Sequence, residues 1–238
     1  MSRGTALITG GAQRIGREIA LALAEDGFDI ALHYQTSQPQ AEATAQSIRE
    51  KIVECYLFQT DLSRQQEVLA LMPAVRQKTK NLNILINNAS LYEPSSLLDT
   101  NLALFHRLLD VNVQAPFLLS REFARWCKGG LIINLLDCHI AHHRSDHAMY
   151  LFTKKILATF TQMSAREWGP AVRVNGIAPG LILPPEGEDE DYLDKKAAFI
   201  PLQKRGGPTQ ICQAVKYLVD NDFVTGQILF VDGGEALI

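Results

Sequence analysis

Short apolar runs alternate along the chain with longer stretches of helical spacing. Residues 6–9, 28–34, 53–59, 84–87, 131–135, 172–177 and 228–231 are mostly apolar without interruption, the pattern of strands buried on both faces. Between them, residues 14–25, 40–51, 64–78, 101–127, 147–168 and 209–220 carry apolar positions at helical intervals. This regular alternation predicts an α/β fold, with a parallel sheet of about seven strands and helices on both faces. Right-handed crossovers then make it doubly wound and Rossmann-like. No linker or repeat divides residues 1–238, so one domain is expected. Residues 178–199 break the rhythm with Pro179, Gly180, Pro184, Pro185 and the acidic run 186–191. Two readings stay open for that segment: a solvated surface loop, or a lid over a substrate.

Composition narrows the setting. Apolar residues make up 47% of the chain, enough for a large core. A net charge of −3 leaves no electrostatic footprint for nucleic acid. Cys55, Cys127, Cys138 and Cys212 lie far apart. That spacing argues against zinc and a disulfide framework and fits a reducing compartment. The sequence enters its first strand without a signal-like segment, and no apolar run is long enough for a bilayer. A cytoplasmic protein with no membrane partner is expected.

Thr9-Gly10-Gly11-Ala12-Gln13-Arg14-Ile15-Gly16 joins the first strand to the first helix. Gly10 suits a tight turn, and Gly16 suits close packing of helix on sheet. The helix N-terminus offers free N–H groups and a positive dipole end to a pyrophosphate. Arg14 stands where such loops often carry glycine; it either clamps a phosphate, contacts the substrate or lies on the surface. The second strand ends in His33-Tyr34-Gln35-Thr36-Ser37. No carboxylate there repels a 2′-phosphate, and His33, Thr36 and Ser37 are possible donors to one, so NADPH is favoured over NADH. Asp61, beside Leu62, either accepts from the adenine amino group or caps the following helix.

Tyr150 and Lys154, four apart, share one helix face. An ammonium there would favour the phenolate and lower the tyrosine pKa, while the lysine holds the nicotinamide ribose. Asn87-Asn88-Ala89-Ser90 closes the fourth strand at the edge where open α/β sheets bind ligands. Asn112 lies inside a helical stretch, where it would bend the helix and hold a water near Lys154. Pro179-Gly180 follows the sixth strand, again at the ligand edge. His139, His142, His143 and His147 have no fixed-face spacing. They are read as lining a pocket mouth or a subunit surface, and no metal is expected.

The ordered set Thr9-Gly10…Gly16, Asp61, Asn87-Asn88-Ala89, Asn112, Tyr150…Lys154, Pro179-Gly180 and Val231-Asp232-Gly233-Gly234 resembles the short-chain dehydrogenase/reductase family along the whole chain. That resemblance implies a hydride-transferring enzyme, with Tyr150 as proton donor and a homotetramer built on helices 101–127 and 147–168. The family usually places a serine thirteen residues before the tyrosine, where it donates to a substrate carbonyl. Here that position is Asp137. An ionised carboxylate would repel an oxygen gaining negative charge, whereas a carboxyl–phenol relay could protonate the nitrogen of a reduced C=N bond.

Within the family, Arg14, His33-Tyr34, Ser90 and Asp137 together are similar to pteridine reductases and dihydromonapterin reductases. The likeness implies that Ser90 and Arg14 touch the pterin or the adjacent phosphate. It also implies that Tyr92 stacks on the ring opposite the nicotinamide, with Leu181 nearby. Trypanosomatid-type pteridine reductases carry a basic residue where Thr36 stands. The implied reaction is NADPH-dependent reduction of a dihydropterin, such as dihydrobiopterin, dihydromonapterin or dihydrofolate. Two alternatives remain: reduction of another carbonyl or imine (sugar, acyl or ketone), and a nucleotide-binding regulator without turnover. A pure binder needs no phenol–ammonium pair, which argues against the last.

Overall fold

The computed structural model describes residues 2–184 and 190–238. Of the acidic stretch 186–191, all but the last two residues lie outside this range. In chain order the elements are β1 (Thr5–Ile8), α1 (Arg14–Glu25), β2 (Asp29–Tyr34), α2 (Gln38–Arg49), β3 (Cys55–Gln59), α3 (Gln65–Lys78) and β4 (Leu82–Asn87). There follow α4 (Leu102–Leu109), a π-helical turn (Asp110–Gln114), α5 (Ala115–Trp126), β5 (Gly130–Leu135), α6 (Ala148–Trp168) and β6 (Val172–Pro179). The chain closes with α7 (Glu190–Ala197), α8 (Pro208–Asp220) and β7 (Ile228–Val231).

All seven strands are parallel, in the order β3-β2-β1-β4-β5-β6-β7. Strand order reverses between β1 and β4, which opens a crevice at their carboxyl ends. Alternation along the strands sends side chains into two cores. Ile8, Ile84, Ile86 and Ile133 pack with Ile19, Leu23, Ile48, Ile211 and Val215 of α1, α2 and α8. Leu7, Leu85, Ile132 and Val174 pack the other face, with Met72, Leu119 and Phe123 of α3 and α5. Each fully buried Leu or Ile of this kind stabilises by about 1.5–3 kcal/mol. Continuous apolar strands are what burial on both faces demands.

A neutral polar cluster lies inside the second core. Asn87 at the end of β4 donates to Ser120 Oγ of α5 (2.9 Å) and to Asn134 Oδ1 of β5 (2.8 Å). Asn134 donates in turn to Thr161 Oγ1 of α6 (2.8 Å). These bonds tie two central strands to the helices that carry the site.

Two differences from the sequence reading have physical causes. The helix expected over 101–127 is three pieces, because the backbone widens into the π-turn that contains the buried Asn112. The π-turn falls at the asparagine whose poor helix propensity the sequence pointed to. The irregular segment 178–199 ends in α7, held by Leu193 and Ala197, which are 2% and 5% exposed.

Candidate active site

The carboxyl ends of β1, β2, β4, β5 and β6 surround a cavity of about 950 Å³. Its phosphate-type end is built by the turn after β1. Gly10 has φ +62°, a left-handed conformation that a side chain would strain. Asn88 clamps the turn by donating from Nδ2 to Thr9 O (2.9 Å) and Gly10 O (3.0 Å). Thr9 Oγ1 accepts from the N–H groups of Asn88 and Ala89, both at 3.0 Å. At Gly16 an added Cβ would overlap the Gly10 carbonyl oxygen, so α1 sits directly on the turn. Among the described residues the N-cap Gln13 makes no side-chain capping bond, which leaves the first N–H groups of α1 free. Gly10, Arg14, Ile15 and Gly16 all line the cavity. This cradle without Cβ atoms, backed by free helix donors, fits a dinucleotide pyrophosphate. Arg14 adopts φ +53°, consistent with a place where glycine is common, and donates to Pro184 O (2.6 Å).

His33 does not serve as a phosphate donor. It is 2% exposed, and both ring nitrogens are used. Nδ1 accepts from the Gly10 N–H (3.1 Å), so Nε2 carries the proton and donates to Thr60 O (3.0 Å). Burial pushes its pKa down to about 4, keeping the ring neutral beneath the glycine turn. Tyr34, Gln35, Thr36 and Ser37 line the cavity beside it. Asp61 is not among the lining residues, although Leu62 is. Its Oδ1 accepts from Ser63 N (2.9 Å) and Oγ (2.7 Å), so the carboxylate shapes the turn before α3. Of its two readings, the local structural one matches this geometry.

Helix α6 presents Tyr150 and Lys154 to the cavity, and both are buried. The Tyr150 hydroxyl donates to Asp137 Oδ2 (3.0 Å). Lys154 Nζ donates to Leu135 O (2.8 Å) and lies 5.7 Å from the centre of the tyrosine ring. The expected lowering of the Tyr150 pKa is therefore reversed. Burial, then the neighbouring Asp137 carboxylate, hold it well above the ordinary phenol value. Burial lowers Lys154 to about 8. Asp137 would be raised by its own burial, but hydrogen bonds, foremost from His139, bring it below the usual carboxylate value. Asp137 is thus an ionised acceptor here rather than a carboxylic acid donor.

Asn112 does not reach Lys154. Its Nδ2 donates to Leu91 O (2.9 Å) and Thr153 Oγ1 (3.1 Å), and its Oδ1 accepts from Leu91 N (2.8 Å) and Ser90 Oγ (3.2 Å). The amide is fully engaged in fixing the segment after β4 that carries Ser90 and Tyr92. Asn88, Ala89, Ser90, Tyr92, Pro179, Gly180 and Leu181 all line the cavity. Tyr92 meets Tyr150 edge-on with centroids 4.7 Å apart, and stacks on His147 at 4.3 Å.

Sequence reasoning missed several cavity residues. Arg144 is bound to Asp146, and Lys196 and Tyr192 enter on α7. Glu235 comes from the far end of the chain. Only the helical spacing of Leu193 and Ala197 could have pointed to α7. His139 was grouped with its neighbours at the pocket mouth, and it does line the cavity. More specifically, it grips Asp137 through both its backbone N–H and Nδ1, each at 2.8 Å. Asp137, Cys138 and His139 bring their heteroatoms within 4.8 Å of one another, and this hydrogen bonding accounts for the closeness.

Comparison with known proteins covers the whole of this frame. A family model described as enoyl-(acyl carrier protein) reductase matches residues 10–235. A 3-oxoacyl-(acyl-carrier-protein) reductase of Staphylococcus epidermidis is 30% identical over 97% of this chain and 98% of its own. A dihydromonapterin reductase of Klebsiella pneumoniae is also 30% identical, over 97% of this chain and 96% of its own. The crystal structure of a FolM alternative dihydrofolate reductase from Brucella suis, in complex with NADP, superposes with a TM-score of 0.94 at 29% identity. That superposition covers 99% of this chain and 96% of the other.

Proposed function

Because the chain belongs to the short-chain dehydrogenase/reductase family, we propose that it is an NADPH-dependent reductase of a dihydropterin. The observation that supports this most directly is the hydrogen bond from Tyr150 to the ionised Asp137. A carbonyl oxygen gains negative charge as it is reduced, and a carboxylate beside it opposes that change. The nitrogen of a C=N bond is more basic than a carbonyl oxygen and can take its proton before or together with the hydride, so less negative charge builds beside the carboxylate. Tyr150 gives that proton once its hydroxyl hydrogen turns from Asp137 to the nitrogen, and Asp137 holds the phenol in place until then.

NADPH, when bound, supplies the hydride. Gly10, Gly16 and the α1 N-terminus would hold its pyrophosphate, with Ile15, Asn88, Ala89, Pro179 and Gly180 lining the same cavity. Tyr34, Thr36, Ser37 and Leu62 would receive the adenosine end, and Lys154 would hold the nicotinamide ribose. NADP in the Brucella suis structure supports the choice of cofactor. Arg14, Ser90, Tyr92 and Leu181 contact the pterin, with Tyr92 stacked on the ring. We also propose a cytoplasmic homotetramer. Phe117 on α5 and Phe152 and Met163 on α6 expose apolar surface suited to that contact.

The other reading, reduction of a carbonyl such as a 3-oxoacyl thioester, is favoured by the equally similar Staphylococcus epidermidis relative. The two are separated by following NADPH oxidation with dihydrobiopterin, dihydromonapterin, dihydrofolate and a 3-oxoacyl thioester. Turnover of a pterin, abolished in Tyr150→Phe, is expected. Turnover of the thioester with no pterin reduced would sink the proposal. Tighter binding of NADH than of NADPH would overturn the cofactor assignment. Full pterin activity in Asp137→Ser would remove Asp137 from the chemistry.

A further inference from the structure

When Tyr150 gives up its proton, a buried phenolate is left 3.0 Å from a carboxylate. Two anions that close repel strongly in a low dielectric, so a nearby cation governs how readily the proton leaves. Lys154 is one such cation, over the tyrosine ring with Nζ 5.7 Å from its centre, but its ammonium is bonded to Leu135 O. The other side of Asp137 is different. We propose that His139 is a positioning residue, which fixes the Asp137 carboxylate toward Tyr150 and offsets its charge while the phenol releases its proton. This rests on the reading of Tyr150 as proton donor.

The geometry carries the inference. His139 donates to Asp137 Oδ1 from both its backbone N–H and its ring Nδ1, each at 2.8 Å. Those two bonds leave Oδ2 aimed at Tyr150. The far edge of the ring opens on a second cavity of about 390 Å³, lined by His139, His142, His143, Arg144, Glu235 and Ile238. There Nε2 lies 3.3 Å from Glu235 Oε1 and 2.8 Å from Arg144 Nη1.

The charged and titratable groups facing the ring are thus Asp137 and Cys138 on its own turn, His142 beside it, Arg144, and Glu235 from the C-terminal end. Cys138 Sγ is 3.6 Å from Nδ1, and the His142 ring centre is 6.4 Å away. The bond to Asp137, foremost, raises the ring above the ordinary imidazole range. A protonated ring pairs with Glu235; a neutral one accepts from Arg144 at Nε2. Nδ1 keeps its proton toward Asp137 in both states, and the protonated ring, paired with Glu235, places its positive charge directly against the carboxylate. Arg144 does not depend on the ring, because Asp146 holds it at 3.1 Å and 2.6 Å.

The test is His139→Asn, which can still donate to Asp137 but bears no charge. With the substrate the enzyme reduces best, kcat is expected to fall roughly tenfold, about the difference between a charge-assisted and a neutral hydrogen bond. KM and NADPH affinity should stay within about twofold. Wild-type kcat and an unchanged pH profile would overturn the proposal, as would an effect confined to KM or NADPH affinity.

Ring ¹⁵N NMR of the free protein gives a second readout. The His139 ring should lose its extra proton at lower pH in Asp137→Asn than in wild type; identical titrations would refute the coupling. Tyr150→Phe in the same assay separates the two levels. If it stays active, the proton-donor reading fails. If it is dead while His139→Asn is unaffected, only the present proposal fails.

Discussion

Gly16→Ala puts two physical effects in opposition, and the structure decides the sign. Gly16 lies in the first turn of α1, where alanine is the better helix former by about 1 kcal/mol. Packing alone opposes this. The new Cβ would overlap Gly10 O and stand 2.5 Å from Asn88 Nδ2 and 3.0 Å from the Gly10 carbonyl carbon. Gly10 has little freedom to yield, because its N–H is bonded to the buried His33 and its carbonyl to Asn88. Overpacking of this kind costs about 1–3 kcal/mol. Displacing Asn88 weakens its bonds to Thr9 O and Gly10 O, at about 1 kcal/mol each.

The net is a loss of about 2–4 kcal/mol, a fall in Tm of roughly 10 °C for a domain of this size. The turn would also move off the pyrophosphate position, so NADPH affinity should drop by an order of magnitude or more, about 1.4 kcal/mol per factor of ten. Thermal unfolding and a fluorescence titration with NADPH check both. An alanine variant as stable as the wild type, with unchanged NADPH affinity, would refute the close-packing argument.

His33 is neutral with a folded pKa of about 4 against 6.5 unfolded, so the unfolded chain binds its proton first. Stability from this residue is complete above pH 6.5 and is lost as pH falls toward 4, by about 3 kcal/mol. Urea midpoints between pH 4 and 7 should slope accordingly and flatten in His33→Gln; equal slopes would discount the buried ring. Lys154, lowered to about 8, loses its charge as pH rises through that value. NADPH affinity should then decline above pH 8 but persist to higher pH in Lys154→Arg, and affinity flat to pH 9.5 in the wild type would rule out the ammonium as a ribose ligand. Stability runs the other way, rising from pH 8 toward 10.5, because the fold prefers the neutral amine. Asn134→Leu takes one partner from Asn87, which keeps Ser120 Oγ, and one from Thr161, which keeps Leu157 O, so the loss should be about 1–3 kcal/mol in all, and a denaturation curve matching wild type would show the cluster to be dispensable.

The sheet was legible because burial on both faces writes continuous apolar runs, and the glycine turn because its spacing is set by backbone geometry. What stayed hidden was direction. His33 has the chemistry of a phosphate donor, but its position on β2 turns the ring beneath Gly10, where both nitrogens are consumed. The spacing of Tyr150 and Lys154 was visible, yet the backbone carbonyl of Leu135 captures the ammonium, and no periodicity reports such a competitor. Asp137 stood out by departing from a serine. That its partner would be His139, two residues on, depended on a short 3₁₀ turn at Cys138–Ala141. Glu235 reaches the same cluster from nearly a hundred residues away, a proximity only the tertiary fold creates.

The cluster of Asn87, Ser120, Asn134 and Thr161 differs in kind from the wall above it. None of its members titrates, and all four are buried. Asp137, His139, Arg144 and Glu235, by contrast, either ionise or carry charge. This polar cluster is therefore indifferent to acidity and ionic strength, while the reactive face above it responds to both. A change of buffer should retune the rate of this protein long before it alters the shape in which the reaction takes place.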